Sequence, residues 1–456
     1  MKFPLRNKLY FYCDRIAIVL LYIIMAECAV FGAGKTFAIG SLTLRMLLLA
    51  ALLVVCLPLM IRQAPQLLKN RHLWLLAAFA VWLALEAIIG YRNKNSLTLL
   101  LGDLKGFAYF VAVIPALCVL NTQKRVHTLM KVIMYFSGAL AVLTLFLLLL
   151  YNWDIDAFTQ IMLWDREHSI TMFATVSTKI PRLFFKSTPY FLCGCAFPIY
   201  FSLTEKTGRC RYVYPFIPGI SLFALLLSYT RSIYLAMAIA AVFLLAILAL
   251  TATRGQKKRL AKTVGAAGLI FVVLTATCSA AFQASFFGYA LDRLGVTFSS
   301  VETPSGTLPS VTEPENTVPD DTDGFQQDTI SSDLFRAQTL AELNRNILSS
   351  PIWGHGLGKE LDVRNGEPNE YIYQDIWMKT GIIGLLLFLS PAALLLADLI
   401  KKRKQDPART QLHAAWLAVL LGFMAFSYFN PYMNAALGIL FYCCNIGVIY
   451  ADDKNI

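Results

Sequence analysis

The sequence predicts an all-α polytopic membrane protein with about twelve transmembrane helices and one large extracytoplasmic loop. Of its 456 residues, 57% are hydrophobic and 15% are charged, and the mean hydropathy is +0.59. This composition gives more apolar surface than a soluble domain can bury. A transmembrane helix needs roughly 20 apolar residues, and runs of that size recur along most of the chain.

Twelve apolar segments carry this prediction, because each is close to the length that crosses a membrane as a helix. They divide the chain into residues 1–286 with nine helices, an outer loop at 287–381, and residues 382–456 with three further helices. The twelve segments are 16–34, 41–60, 73–91, 104–120, 128–151, 185–204, 213–229, 232–251, 264–286, 382–399, 411–428 and 431–450.

Lysine and arginine are concentrated in alternate connecting segments. Because basic loops remain in the cytoplasm, we expect both termini there and the loop 287–381 outside. The net charge of +12 therefore indicates orientation in the membrane, and we expect no nucleic acid partner. The basic clusters lie within residues 2–15, 62–71, 124–125, 206–211, 254–262 and 401–404.

The ten cysteines lie in apolar segments or their cytoplasmic flanks. Their spacing is not that of a zinc site or of a disulfide framework. The sequence also carries no glycine-rich nucleotide-binding motif. We therefore predict neither a metal ion nor another cofactor.

The outer loop has two parts of different composition. Residues 299–330 are rich in serine, threonine, proline and acidic side chains, which predicts a flexible segment. Over residues 331–350 apolar side chains recur at helical spacing, and Ser331 or Ser332 can cap the start of a helix. We expect an amphipathic helix that lies on the membrane surface or covers a cavity.

Several ionisable residues lie near the outer ends of the predicted spans. Charged groups within a membrane are costly and commonly functional, so their shared side favours a polar cavity open to the outer leaflet. The alternative is a set of loop-edge residues with neighbouring ion pairs. The residues are Glu27, Arg45, Glu86, Asp103 and Lys105.

Arg231 is the single charged residue in the stretch LLLSYTRSIYLAMAIA, inside the apolar residues 212–253. One helix through that segment would be about 60 Å long, twice the thickness of the hydrocarbon core. Since both flanks are basic, we expect two helices that reverse at the outer face, with Arg231 at the turn. Two roles fit this position, contact with lipid headgroups or an anion site.

Three segments, in this order, resemble the O-antigen ligase and O-antigen polymerase (Wzy-type) family of membrane glycosyltransferases. The arginine in SYTRSIYLA is similar to a family arginine between two central spans. The segment RAQTLAELNRNILSSPIWGHGLG resembles the family's arginine, helix, proline and Gly-x-Gly pattern, with Arg336 as the arginine. The segment EYIYQDIWMKTGIIGLLLF resembles the lead into the next span. The likeness is best over about 180–400.

This resemblance implies a GT-C-like, metal-independent enzyme in the bacterial cytoplasmic (inner) membrane, with its active site outside. The donor would be a glycan on undecaprenyl diphosphate, and the acceptor a hydroxyl of a glycan or of lipid A-core, with membrane lipids around both. Ligase, polymerase and protein O-oligosaccharyltransferase share this architecture, and the sequence leaves them open.

The same resemblance implies that Arg231 and Arg336 bind the donor diphosphate and stabilise its charge as it leaves. Arginine suits this task because its planar guanidinium makes paired hydrogen bonds to phosphate oxygens. Arg182 and Lys186, in PRLFFKSTPY, are expected as secondary anion contacts.

The chain departs from the family at the proton acceptor. Many members have a His-Asn pair about eleven residues before a glycine that corresponds to Gly381, and Glu370 stands there in this chain. Glu370 is therefore the candidate general base, with Asp375 as the second choice, although an exposed loop carboxylate is an equal alternative. His355 is expected to be a turn residue.

A flippase or other polysaccharide transporter is the main alternative to an enzyme, and an envelope assembly protein is a weaker one. Transporters favour charges at the membrane midplane and broken helices in two related halves. The sequence has neither pattern, and its long outer loop favours an enzyme.

Overall fold

A computed structural model describes residues 5–32, 38–39, 42–168, 170–177, 180–205, 212–291, 321–364, 367, 369–403 and 406–451. For residues 5–7, 39, 175–177, 321–333 and 402 it describes the backbone alone. Most of the described chain is helical, which confirms an all-α membrane protein.

The described helices, numbered in chain order, differ widely in length. They are α1 (Leu5–Phe31), α2 (Leu44–Leu67), α3 (Arg71–Arg92), α4 (Leu97–Phe107), α5 (Val113–Val119), α6 (Gln123–Trp153), α7 (Ile155–His168), α8 (Phe191–Thr204), α9 (Val213–Leu227), α10 (Arg231–Thr251), α11 (Arg254–Phe282), α12 (Asp321–Ser349), α13 (Ile372–Lys402), α14 (Pro407–Phe426) and α15 (Ala436–Ile449). The strands are β1 (Ala38–Ile39), β2 (Leu42–Thr43), β3 (Thr171–Ser177) and β4 (Ile180–Phe185), in the antiparallel pairs β1–β2 and β3–β4.

Within the described residues, seven helical segments are long and apolar enough to cross a membrane. Two further apolar helices, Val213–Leu227 and Ala436–Ile449, are shorter. The number of twelve spans stays a prediction. The seven are Leu44–Leu67, Arg71–Arg92, Leu97–Val119, Gln123–Trp153, Arg231–Thr251, Arg254–Phe282 and Ile372–Lys401.

The helix break predicted inside residues 212–253 is confirmed, whereas a reversal of direction at the outer face stays a prediction. Helix α9 ends at Leu227, and α10 begins at Arg231. Between them Tyr229 adopts φ +44°, its side chain is buried, and its hydroxyl donates to the carbonyl of Phe286 over 3.2 Å. This buried anchor fixes the turn in front of Arg231.

Residues 152–184, between the predicted spans 128–151 and 185–204, contain a helix and a β-hairpin. Helix α7 and the hairpin of β3 and β4 occupy most of this segment. Strand β4 continues to Phe185, so the predicted helix 185–204 was wrong at its start, and α8 begins only at Phe191. The hairpin's ladder, which pairs Thr171 with Phe185, uses the backbone groups that a helix would need.

The helix of the large loop begins earlier than predicted. It starts at Asp321, so neither Ser331 nor Ser332 caps it, and residues 321–330 of the predicted flexible segment belong to this helix. Residues 299–320 of that prediction lie outside the described residues.

Helix α13 also starts early, ten residues before the predicted span 382–399, and it is interrupted at Gly381. Gly381 has φ +66°, and a Cβ atom there would lie 1.8 Å from the carbonyl oxygen of Ile352. The interruption therefore requires glycine and lets the loop after α12 dock against the helix.

Candidate functional site

The first cluster of the site forms where the β3–β4 hairpin meets the turn between α9 and α10. Arg182 on β4 donates through Nε to the carbonyl of Ser228 over 3.1 Å and through Nη2 to the hydroxyl of Thr230 over 3.4 Å. Arg231 follows Thr230 directly and opens α10. Strand β4 is thus fastened to the turn that carries Arg231.

The positive charge of Arg336 also affects Arg182. Burial lowers the pKa of the Arg182 guanidinium, and the positive charge of Arg336 lowers that pKa further. Two cations that repel each other in a partly buried place favour a bound anion between or beside them. A residue of β4 and a residue of α12 that are far apart in the sequence thus influence each other electrostatically.

Glu370 lies between two arginines of the large loop. Arg336 Nε is 3.3 Å from Glu370 Oε2, and Arg364 Nη1 is 3.6 Å from Glu370 Oε1. The Arg364 guanidinium is also 3.7 Å from a carboxylate oxygen of Glu367 and lies over the ring of Phe335. Glu370 is therefore an ion-paired carboxylate. It is not a fully exposed loop residue, since its side chain is 35% accessible.

Arg364 is a site residue that sequence reasoning missed. It is buried, with 8% exposure, and it stands in a short 3-10 helix, Asp362–Arg364, between α12 and α13. The signal in the sequence was weak, because a single arginine in a polar loop is normally solvent-exposed.

The other predicted residues lie elsewhere. Lys186 follows β4 and lies within electrostatic range of Asp165. Burial raises the pKa of the Asp165 carboxyl, whereas hydrogen bonds from Thr171 and the positive charge of Lys186 lower that pKa. The imidazole Nε2 of His355 lies 2.9 Å from the carbonyl oxygen of Asn346 and 3.0 Å from the hydroxyl of Ser349. His355 thus fastens the end of α12, as expected for a turn residue.

A second cluster surrounds Lys379, on α13. Its ammonium is 2.9 Å from Asp103 Oδ1 and 2.9 Å from Asp375 Oδ2. Asp103 Oδ2 also accepts a hydrogen bond from the backbone N–H of Gly358 over 3.0 Å, and the amide of Asn369 donates to Asp375. Asp375 is thus committed to an internal ion pair.

This cluster borders a cavity of about 460 Å³. Among the charged residues near span ends, Asp103 lines this cavity, whereas Arg45 forms an ion pair with Glu27, with N–O distances of 2.6 and 2.8 Å. The opening of the cavity to the outer leaflet stays a prediction. The polar residues that line the cavity are Thr98, Asp103, Lys359, Glu360, Glu367, Asn369, Asp375, Lys379, Thr380 and Asn434.

The GHGLG loop, residues 354–358, contributes Leu357 to the lining of the cavity and is held against α3. The backbone N–H of Leu357 donates to the carbonyl of Glu86 over 3.0 Å. Gly356 has φ +84°, and a Cβ atom there would lie 2.3 Å from the backbone nitrogen of Gly90. The glycine is needed for both reasons, its backbone conformation and the close approach of α3.

A family model described as O-antigen ligase matches residues 218–389. Residues 218–389 form an O-antigen ligase family domain. The domain contains Arg231, Arg336, Arg364 and Glu370, and it confirms the resemblance of the three quoted segments. A search of curated proteins gave no match.

The O-antigen ligase family domain supports a role in surface polysaccharide biosynthesis and a glycosyltransferase-type enzyme. Together with the apolar helices, it supports a bacterial membrane protein. The family in general implies a lipid-linked glycan and an acceptor as partners. Arg182 and Asp103 lie outside the matched residues, so the clusters also recruit parts of the chain that precede the domain.

Proposed function

We propose that the protein transfers a glycan from undecaprenyl diphosphate to an acceptor hydroxyl at the outer face of the bacterial cytoplasmic membrane. The observation that supports this proposal is the position of Arg182, which is hydrogen-bonded to the turn just before Arg231 and lies within electrostatic range of Arg336. Both termini would then be cytoplasmic and the arginines extracytoplasmic.

In this proposal Arg231 and Arg336 contact the diphosphate and Arg182 adds a third positive charge. Lys186 would be a more distant anion contact. As the bond between the anomeric carbon and the diphosphate oxygen breaks, negative charge grows on the leaving group. Guanidinium groups fixed in advance stabilise that charge without reorganisation.

Glu370 would accept the proton of the acceptor hydroxyl as its oxygen forms the new bond to the anomeric carbon. In the free protein Glu370 is paired with Arg336. A diphosphate competes for the same guanidinium, so donor binding would turn the carboxylate away from Arg336 and make it available to the acceptor. Asp375 is a poorer candidate, because Lys379 and Asn369 already engage both of its oxygens.

Incubation of purified protein with lipid-linked glycan and acceptor, in liposomes, tests the proposal. Transfer releases free undecaprenyl diphosphate as the glycan reaches the acceptor. Protein-dependent exchange of intact lipid-linked glycan between leaflets, with no bond cleavage, would instead establish the transporter. The acceptor that gains sugar separates a ligase (lipid A-core) from a polymerase (a second lipid-linked repeat).

A further inference from the structure

The cavity beside Lys379 has the dimensions and position of a binding site. Its volume of about 460 Å³ falls within the roughly 300–1,000 Å³ of small-molecule sites. It is enclosed by α4, by the GHGLG loop and the residues after it, by the first turns of α13, and by the loop between α14 and α15. The glycan transfer proposed above assigns no residue to the cavity.

One buried polar atom lines this cavity without a partner. Asn369 is 5% exposed, its amide nitrogen donates to Asp375, and among the described residues its Oδ1 atom accepts no hydrogen bond. A buried carbonyl oxygen without a donor is unfavourable. A hydroxyl group placed in the cavity would supply that donor.

The charges around the cavity disfavour an anionic occupant. Asp103, Asp375, Glu360 and Glu367 contribute four carboxylates, against the two ammonium groups of Lys359 and Lys379. Lys379 is already bound by two of these carboxylates at 2.9 Å. A phosphate would therefore meet net negative charge here, whereas a neutral molecule rich in hydroxyl groups finds several acceptors.

The cavity and the arginines are joined through adjacent residues. Asn369 precedes Glu370, which pairs with Arg336, and Glu367 lines the cavity while it pairs with Arg364. Neighbouring residues lie about 3.8 Å apart between Cα atoms. An occupant that hydrogen-bonds Asn369 thus places its other hydroxyls near Glu370.

From these observations we infer that the cavity binds the acceptor as a neutral, hydroxyl-rich sugar, and that Asn369 selects and orients it. The identification of this sugar as the acceptor rests on the proposed glycan transfer, whereas the sugar site itself is inferred from the cavity alone. The diphosphate is thereby assigned to the positively charged arginines, and the sugar to the neighbouring cavity, whose lining has a net negative charge.

Gly102 offers a direct way to fill the cavity. It lies on α4, lines the cavity, and a Cβ atom there meets no atom within 4 Å. Gly102→Trp therefore projects an indole from an unobstructed position on the cavity wall. Gly265→Trp is the matched control, because Gly265 is an exposed helical glycine of α11 with equally open space.

Binding is measured by saturation-transfer NMR on the full chain in nanodiscs, with neutral mono- and disaccharides of glucose, galactose and N-acetylglucosamine as probes. The wild type and Gly265→Trp should give sugar signals, which Gly102→Trp abolishes and Asn369→Leu reduces. In transfer assays both cavity variants should raise the acceptor KM about tenfold and leave donor KM unchanged.

Equal sugar signals in Gly102→Trp and Gly265→Trp, or none in the wild type, would overturn the inference. So would a wild-type acceptor KM in both cavity variants. If sugar binding shows the expected pattern but no glycan is transferred, the proposed transfer fails and the sugar site stands. If glycan is transferred but both cavity variants keep the wild-type acceptor KM, the acceptor site in the cavity is ruled out and the proposed transfer stands.

Discussion

Replacing Lys379 with methionine removes the positive charge that lies between two buried carboxylates. The Lys379 ammonium is 2.9 Å from both Asp103 and Asp375, and its side chain is 7% exposed. Removal of one partner from a buried ion pair costs about 3–5 kcal/mol, because the remaining charge is left uncompensated. Here two carboxylates are left, so we expect the upper part of that range.

Unfolding of the purified protein in mild detergent, followed by intrinsic fluorescence, measures this effect. A loss of that size corresponds to a fall in Tm of about 5 °C in a chain of this length. Lys359→Met is the control, since Lys359 is a half-buried lysine that lines the same cavity, and it should unfold like the wild type. Combining Lys379→Met with Asp103→Asn and Asp375→Asn removes the uncompensated charge and should restore part of the Tm.

An unchanged Tm in Lys379→Met would show that the three charges do not stabilise one another. A triple variant that is less stable than Lys379→Met would contradict this stabilisation as well.

Three further predictions concern single positions. Arg182→Lys should weaken undecaprenyl diphosphate binding about tenfold, since lysine lacks the paired donors that reach the turn; isothermal titration measures this, and equal affinity contradicts it. Gly356→Ala should destabilise the fold by about 1–3 kcal/mol, because its Cβ would meet the backbone of Gly90. The control Gly255→Ala lies in open space and should unfold like the wild type. Equal unfolding curves for the two variants would rule this out. Glu370→Gln should lower the transfer rate about 100-fold while diphosphate binding persists; a wild-type rate removes Glu370 as the base.

The sequence was most informative where length and charge act together. The position of Arg231 at a turn followed from an apolar stretch too long for one span and from its basic flanks, and the structure has that turn. The outer placement of charges likewise anticipated a polar cavity at Asp103. These predictions depend on local composition, which the sequence displays directly.

Features that depend on tertiary contacts were not visible. The β3–β4 hairpin was missed because each short strand is stabilised mainly by its partner and by packing. Lys379 and Asp375 have the spacing of an i, i+4 pair, but nothing local links them to Asp103 on α4. The burial of Arg364 and the free acceptor of Asn369 likewise arise only when the loop folds against α12 and α13.

If Arg231 and Arg336 hold the diphosphate of a lipid-linked glycan, the paired variants Arg336→Ala and Arg345→Ala must differ in glycan transfer. Both arginines lie on α12, and Arg345 is exposed. With glycan transfer measured at matched protein levels, we expect loss of transfer and of undecaprenyl diphosphate binding in Arg336→Ala and wild-type behaviour in Arg345→Ala. Normal transfer by Arg336→Ala would contradict it.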